Sequence, residues 1–179
     1  RNGRTYYTLA ENFTQQKAIK SDWTVINGVF RLYDSNGRLT GYRKVGNRHV
    51  LVDIYKQRLY YFNNGKLVVN TGVVTGQPSK GWSTPIGHFN VERKGYRVPM
   101  SGDGWAMTPE YAIFFRNGMF ALHDAWYRTS AHYSNPKTYL TYGSHGCVNT
   151  PLGALRTVYN SIQVGDPITV FKTVRDHEL

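Results

Sequence analysis

The only cysteine of the chain lies in a glycine-containing loop whose residue types suit acyl transfer. Residues 143–149 read GSHGCVN, so a hydroxyl and an imidazole lie between two glycines, and the thiol of Cys147 directly follows the second glycine. Glycines beside a nucleophile let the backbone bend sharply, so that successive N–H groups can point at one spot beside the sulfur. Acyl transfer needs such donors because negative charge develops on the carbonyl oxygen, and one donor is typically worth about 3 kcal/mol. A free cysteine is most often a small buried hydrophobe, but this loop favours a nucleophile with an oxyanion hole.

A cysteine nucleophile needs a base, because a thiol with a pKa near about 8.5 is mostly protonated at neutral pH. His145 is two residues from Cys147, where an extended backbone turns both side chains to one face. His123 ends the β-type run 119–122, and a strand end that faces a cleft is a suitable place for a base. The other four histidines have no such context and are expected to be surface or packing residues: His49, His88, His132 and His177.

The composition indicates a folded domain. Of 179 residues, 40% are hydrophobic and 18% are charged, which excludes a disordered acidic tail and a membrane protein. No apolar run approaches the roughly 18 residues of a membrane helix, so we expect no stable membrane insertion. A single cysteine excludes an intrachain disulfide framework and a multi-cysteine zinc site.

The chain is strongly basic. Its 22 Lys and Arg against 11 Asp and Glu leave a net charge of +11. This surplus favours a polyanionic neighbour, such as nucleic acid, anionic lipid or an acidic cell wall, about as strongly as it favours a plain solvated surface. No run of five or more basic residues occurs, and we therefore expect no nucleic-acid partner.

The elements that must position the cysteine loop are predicted to be mainly β. Val50, Val52 and Ile54 alternate with other residues, which indicates a strand near the start of a new domain. An Asn-Asn-Gly turn at 63–65 separates two further β-type runs and predicts a hairpin. Other β-type runs lie at 88–93, 111–115, 119–122 and 167–171. Short strands punctuated by glycine and proline predict a mainly β sandwich or barrel over residues 46–179, with one or two short helices.

One helix is predicted directly after the cysteine loop. Thr150 is a suitable N-cap, Pro151 suits the first helical position, and Gly165 is a suitable terminator. The apolar face of this helix comprises Leu152, Leu155, Tyr159 and Ile162.

Residues 1–45 are predicted to form a separate small segment. Two stretches, 2–7 and 27–33, each begin with Asn-Gly and continue with aromatic residues, which is typical of short strands joined by turns. The segment resembles the aromatic- and glycine-rich wall-binding repeats of Gram-positive surface proteins. A plain β-hairpin without a ligand is an equally good interpretation, because two units are fewer than the three or so that a solenoid needs.

The motifs together resemble the L,D-transpeptidase (YkuD-type) catalytic domain. The loop SHGCVN at 144–149 follows a histidine at a strand end, as in that family. The stretch 84–89, TPIGHF, resembles the family's T-P-x-G-x-F segment, and 51–54 with 59–62 resembles its opening hairpin. The resemblance covers about residues 48–172, with the motifs in the family's order.

The resemblance implies a role for each residue of the loop and for one histidine upstream. Cys147 would be the nucleophile and His123 its base, with Ser144 orienting His123 through its backbone carbonyl. The backbone N–H groups of His145, Gly146 and Cys147 would form the oxyanion hole, and the His145 side chain would support the site.

The resemblance also implies a substrate-binding set. The stretch 93–108 corresponds to the family's flap over the acyl-donor groove. The 20 residues at 124–143 that separate His123 from Ser144 are a few more than usual in the family, so Tyr127–Tyr142 is expected to be an enlarged loop beside the site. The candidate substrate contacts are Tyr96, Trp105, Met107, Asp124, Trp126 and Asn149.

The implied reaction is peptidoglycan cross-linking through a thioester on Cys147, without metal or organic cofactor. The donor would be a stem tetrapeptide, cleaved between its third, L-configured residue and D-Ala, and the thioester would pass to a neighbouring stem's amine or to water. The implied location is extracellular, in a Gram-positive wall whose anionic polymers would match the basic charge. Arg1 opens the chain without an initiator methionine, so we expect a longer precursor.

Three alternatives belong to other classes. Another Cys-His wall peptidase is disfavoured because those enzymes usually place the nucleophile before the histidine, whereas His123 precedes Cys147. A non-catalytic wall-binding module is supported only by residues 1–45. A zinc site of His123, His145 and Cys147 is disfavoured because His-Gly-Cys is not a usual zinc spacing.

Overall fold

The computed structural model describes residues 47–172 in full and, before them, the backbone of three short strands. These are β1 (Val25–Ile26), β2 (Val29–Tyr33) and β3 (Leu39–Lys44), which form an antiparallel sheet in the order β1-β2-β3. The second predicted repeat unit therefore contains the expected strands, whereas the first, at 2–7, lies outside the described residues. Wall binding by this segment stays a prediction.

The remaining strands and helices carry the site. The strands are β4 (Arg48–Asp53), β5 (Arg58–Asn63), β6 (Lys66–Gly72), β7 (Gly87–Asn90), β8 (Arg93–Tyr96), β9 (Met100–Gly102), β10 (Trp105–Met107), β11 (Tyr111–Arg116), β12 (Phe120–His123), β13 (Val148–Asn149) and β14 (Pro167–Phe171). The helices are a 3-10 turn (Pro78–Lys80), α1 (Ser130–Ser134), α2 (Thr138–Tyr142) and α3 (Leu152–Ser161). None of the helices in the described part of the chain is long and apolar enough to cross a membrane.

A five-stranded sheet in the order β6-β5-β4-β14-β7 forms the first half of the molecule. Its centre is β4, in which Val50, Leu51 and Val52 are all fully buried, because the strand is covered on both faces. The β5–β6 hairpin predicted at 63–65 is confirmed. Asn64 and Gly65 both have positive φ, of 50° and 72°, as a two-residue turn that matches strand twist requires.

A four-stranded sheet in the order β13-β12-β11-β8 forms the second half. Strand β12 ends at His123 and pairs in parallel with β13, where His123 lies opposite Asn149. A separate β9–β10 hairpin lies within the predicted flap. The mainly β sandwich-like fold expected from the sequence is thus confirmed.

Helix α3 begins one residue later than the sequence predicts. Its N-cap is Pro151, not Thr150, because the Thr150 hydroxyl donates instead to the carbonyl of Val148 at 3.1 Å. Leu155 and Ile162 are buried as expected. Leu152 is not, since the first turn of the helix overhangs a surface cavity.

We expect Leu155→Ala to lower the free energy of unfolding by about 2–5 kcal/mol, because the truncation removes a fully buried side chain and leaves a void. Leu152→Ala on the same helix is the matched control. Leu152 is 38% exposed, so its truncation should cost less than about 1 kcal/mol. Urea denaturation of the two variants measures the difference, and equal losses would contradict the packing described for α3.

Candidate active site

The cysteine loop is held at both ends by backbone pairing with residues 74–77. The Ser144 N–H donates to Thr75 O, and the Gln77 N–H donates to Ser144 O, both at 3.0 Å. Val74 and Asn149 exchange two backbone hydrogen bonds of 3.0 and 2.9 Å. The backbone N–H and C=O groups of Ser144 and Asn149 are therefore all satisfied away from the thiol, and the tip of the loop, 145–147, is free to face a substrate.

The Ser144 hydroxyl shapes the tip of the loop. It donates to the carbonyl of Cys147 at 2.5 Å and accepts the N–H of Gly146 at 3.1 Å. Thr84, from the TPIGHF stretch, donates to the Gly146 carbonyl at 2.8 Å and accepts the Gly76 N–H at 2.9 Å. The two hydroxyls thus lock a turn in which one residue must have positive φ.

That residue is Gly146, whose φ is +119°. A Cβ at this position would lie 2.6 Å from the ring of Phe120, closer than packed carbon atoms approach. A glycine is therefore required both by the backbone angle and by the neighbouring ring.

The hydrogen bonds of the loop differ from two of the expected roles. The His123 ring meets the Asp124 carbonyl, whereas the Ser144 carbonyl accepts the Gln77 N–H. The Gly146 N–H donates to the Ser144 hydroxyl. Among the described residues, no hydrogen bond engages the N–H of His145 or Cys147, so these two groups stay available to an oxyanion.

The Cys147 thiol is held as a neutral group. The side chain is buried, and its Sγ donates to the Met119 carbonyl at 3.6 Å. Burial raises the pKa of the thiol to about 11, although the Ala121 backbone acts in the opposite direction. With its pKa raised, the thiol is protonated at neutral pH, so a nucleophilic role for Cys147 would require a base that removes the proton.

The His123 ring has the protonation state of a base. Its Nδ1 lies 2.8 Å from the carbonyl of Asp124, and a carbonyl only accepts, so Nδ1 carries the proton. Its Nε2 accepts from the Asn149 amide at 3.2 Å. Burial lowers the pKa of His123 below its usual value, which keeps the ring neutral. The Asp124 carbonyl therefore orients His123 in the way expected of Ser144.

Cys147 and His123 line one cavity of about 230 Å³. Within residues 47–172, no hydrogen bond joins Sγ to a histidine ring, because the thiol points to Met119 and Nε2 is occupied by Asn149. Catalytic hydrogen bonds are often absent before substrate binds, so a shared cavity is the relevant geometry. Three of the predicted substrate contacts line the same cavity, namely Trp105, Met107 and Asn149.

His145 belongs to the rim of this cavity rather than to its floor. Its ring stacks between Trp82, at 3.9 Å between centroids, and Trp105, at 5.5 Å. Burial, followed by the nearby Lys80 charge, lowers the pKa of His145. The stack joins the cysteine loop to the β9–β10 hairpin, so this ring supports the cavity wall.

The structure places the other predicted contacts away from the thiol. Tyr96 is exposed and packs against Tyr111. Both carboxylate oxygens of Asp124 accept backbone N–H groups, from Glu110 at 3.1 Å and Tyr111 at 2.7 Å. Asp124 and Trp126 line a second cavity, of about 760 Å³, beside the first. Tyr96, Asp124 and Trp126 are therefore not part of the Cys147 cavity.

The remaining histidines have local partners. His132 lies in the first turn of α1, where its Nδ1 accepts the Thr129 N–H at 3.0 Å. His49 and His88 both contact the Thr169 hydroxyl, at 2.9 and 3.0 Å. His177 lies outside the described residues. Within the described chain, no three His, Cys, Asp or Glu side chains are grouped to hold a metal ion.

Sequence reasoning missed Arg128, which forms part of the wall of both cavities. Its Nε donates to Asn149 Oδ1 at 3.1 Å, and its Nη1 donates to the Tyr142 carbonyl at 2.6 Å. The one available signal is a single arginine in the aromatic run Trp126-Tyr127-Arg128. Nothing in the sequence shows that this arginine is buried.

The comparisons with known proteins agree with the fold and the loop. Residues 47–170 match the sequence model of the YkuD family, described as the L,D-transpeptidase catalytic domain. L,D-transpeptidase 1 of Mycobacterium tuberculosis is 30% identical over an alignment of 118 residues that covers 60% of this chain and 43% of that protein. The chain thus spans less than half the length of this curated relative.

Two solved structures are similar over most of the described residues. The NMR structure of the catalytic domain of the Enterococcus faecium L,D-transpeptidase acylated by ertapenem is 28% identical, with a TM-score of 0.61. It is matched over 70% of this chain and 97% of that one. A crystal structure of a mutant Enterococcus faecium L,D-transpeptidase is 26% identical, with a TM-score of 0.65, over 70% of this chain and 50% of that one.

The match to the family extends over more than half of the chain, and it includes the loop around Cys147 and the strand that ends at His123. The chain therefore belongs to the YkuD family of L,D-transpeptidase catalytic domains.

Proposed function

We propose that this chain is a cysteine-dependent peptidoglycan L,D-transpeptidase with Cys147 as nucleophile and His123 as general base. The observation that carries the proposal is the pairing of a neutral thiol with a base-form imidazole in one cavity. The loop geometry supports it, because the N–H groups of His145 and Cys147 stay available beside the sulfur.

The first half-reaction forms a thioester. As the thiol turns from Met119 towards His123, it displaces the Asn149 amide from Nε2. Nε2 then takes the thiol proton, and Sγ attacks the carbonyl of the third residue of the stem tetrapeptide. The oxyanion is stabilised by the two free N–H groups of the loop. The C–N bond to D-Ala then breaks, His123 returns the proton to the leaving amine, and D-Ala departs.

The second half-reaction releases the acyl group. An amine of a neighbouring stem attacks the thioester carbonyl while His123 Nε2 accepts its proton. The C–S bond breaks, the proton passes to sulfur, and a 3→3 cross-link and the free thiol result. Water in place of the amine gives L,D-carboxypeptidase activity by the same steps.

The setting of the reaction is also a proposal. Peptidoglycan stem peptides are the partners that the chemistry requires, and the net charge of +11 supports contact with anionic wall polymers. An extracellular, wall-associated location follows from that substrate. The acylation of the similar Enterococcus faecium domain by ertapenem supports an equivalent covalent adduct on Cys147.

The direct test uses a defined stem tetrapeptide as donor and an isotopically labelled amine as acceptor. We expect mass spectrometry to show release of D-Ala and a product that carries the label. Cys147→Ala should lose both, because no other thiol exists in the chain. A variant without the thiol that still formed the labelled product would disprove the proposal.

His123→Ala should slow acylation by a carbapenem by about 100- to 10,000-fold, the usual contribution of general acid–base catalysis. His132→Ala is the matched control, since this partly exposed ring lies outside the Cys147 cavity and contacts Thr129 and the edge of Tyr142. It should react at the wild-type rate. The rate of acylation is measured from the increase in intact protein mass. An unchanged rate for His123→Ala would show that His123 is not the base.

The rate of acylation should fall at acidic pH, through an apparent pKa below 6.5, the usual value for histidine. The sign follows because only the neutral ring accepts the thiol proton, and burial lowers the pKa of His123. The apparent pKa belongs to the coupled thiol and imidazole together. With the thiol pKa raised to about 11, the rate should be flat at neutral and mildly alkaline pH. A rate rising tenfold per pH unit there would instead indicate attack by a free thiolate.

A further inference from the structure

We propose that Arg128 is a positioning residue that, through the side-chain amide of Asn149, reinforces the His123 tautomer that the Asp124 carbonyl also favours. The inference rests on the proposed function, in which His123 is the base. Arg128 lies outside the cysteine loop, and its contact with Asn149 would keep Nε2 of His123 unprotonated and able to accept a proton.

The guanidinium of Arg128 is fixed at two points. Its Nε donates to Asn149 Oδ1 at 3.1 Å, and its Nη1 donates to the Tyr142 carbonyl at 2.6 Å. It also packs over the ring of Tyr142, with 4.4 Å between Cζ and the ring centroid. The Tyr142 carbonyl lies at the end of α2, so this short helix serves as an anchor for the arginine.

These contacts determine which way the Asn149 amide faces. Arginine has only donors and no acceptor, so the atom of Asn149 that meets it must be the carbonyl oxygen. The NH₂ group then faces the other way, towards His123 Nε2 at 3.2 Å. Asn149 is fully buried, so water does not offer the amide an alternative partner.

The direction of the amide determines the proton of the imidazole. An NH₂ group only donates, so Nε2 must present its lone pair, and the ring proton must reside on Nδ1. The Asp124 carbonyl accepts that proton at 2.8 Å. The chain of donors from Arg128 through Asn149 and His123 to Asp124 therefore runs in one direction.

Removal of the guanidinium would release this constraint. The amide could then turn its oxygen to His123, and an Nε2–H would donate to it. A ring protonated on Nε2 has no lone pair facing the cavity and cannot accept the thiol proton. Lysine is a poor substitute, because a single ammonium group lacks the fork that reaches both acceptors.

The positive charge of Arg128 also favours a neutral His123 ring. It opposes a positive charge on the nearby imidazole, and it is one of the influences that lower the pKa of His123. Arg128 itself is buried, and within the described residues it forms no ion pair with a carboxylate. Such burial is costly unless the N–H groups have partners. Because the burial of this charge costs stability, a positioning role beside the proposed base explains Arg128 better than packing does.

The experiment measures the His123 tautomer directly, by ¹⁵N NMR of histidine-labelled protein, together with steady-state kinetics on the tetrapeptide. Arg128→Met removes the donors but keeps an unbranched side chain. Arg128→Lys keeps the charge. Arg58→Met is the matched control, because Arg58 lines only the second cavity and contacts Asn70.

We expect the wild type and Arg58→Met to show Nδ1 protonated and Nε2 unprotonated. Arg128→Met should show a substantial fraction of rings protonated on Nε2, with kcat reduced at least tenfold, a partial loss of the about 100- to 10,000-fold that acid–base catalysis contributes. KM should change less than twofold. Arg128→Lys should lie between Arg128→Met and the wild type in both measurements.

Asn149→Asp tests the same connection between Arg128 and His123 at the residue that joins them. A carboxylate cannot donate to Nε2 and should force a proton onto it even with Arg128 in place. This variant also decides the question if Arg128→Met does not fold, because Asp is close to Asn in shape.

Several outcomes would overturn the inference. One is an unprotonated Nε2 in Arg128→Met with wild-type kcat, and another is an unprotonated Nε2 in Asn149→Asp. A third is a fall in kcat and melting temperature without a change of tautomer, which would make Arg128 merely structural. Failure of the proposed function is separate, since a wild-type protein inactive on the tetrapeptide would still report its tautomer.

Discussion

The parallel pairing of β12 with β13 brings the chemistry of this domain together. It sets His123 opposite Asn149, two residues after Cys147, so the proposed base and the proposed nucleophile line one cavity. The pairing is only two residues long, and the loop before it is therefore held from elsewhere. Residues 74–77 and the hydroxyls of Ser144 and Thr84 supply that support.

The site combines a dry environment with neutral reactants. Burial raises the pKa of the thiol and lowers that of the imidazole, and both shifts favour the uncharged pair. In the proposed mechanism, the charged couple forms only when the proton moves, at the moment when free N–H groups of the loop can stabilise an oxyanion. Fixed donors in such a site are worth more than in water because they need not reorganise.

Local patterns in the sequence predict much of this arrangement. Signals that span only a few residues predict the turn at 63–65, the strand that ends at His123 and the glycine-containing loop before Cys147. Three other features cannot be read from neighbouring residues. They are the carbonyl that orients His123, the hydrogen bond made by the Gly146 N–H and the burial of Arg128. Each depends on which group of a distant segment becomes the hydrogen-bond partner of a given atom. The Ser144 carbonyl, for example, accepts the N–H of Gln77.

The neutral state of Cys147 has a consequence for its chemical durability. Oxidants attack the thiolate far faster than the thiol, and a rise in pKa from 9.0 to about 11 lowers the thiolate fraction at neutral pH by about 100-fold. Cys147 is the only cysteine, so no second thiol of the chain could reduce a sulfenic acid formed on it. The burial that raises the pKa of Cys147 thus also slows its oxidation, which would preserve the proposed nucleophile between turnovers.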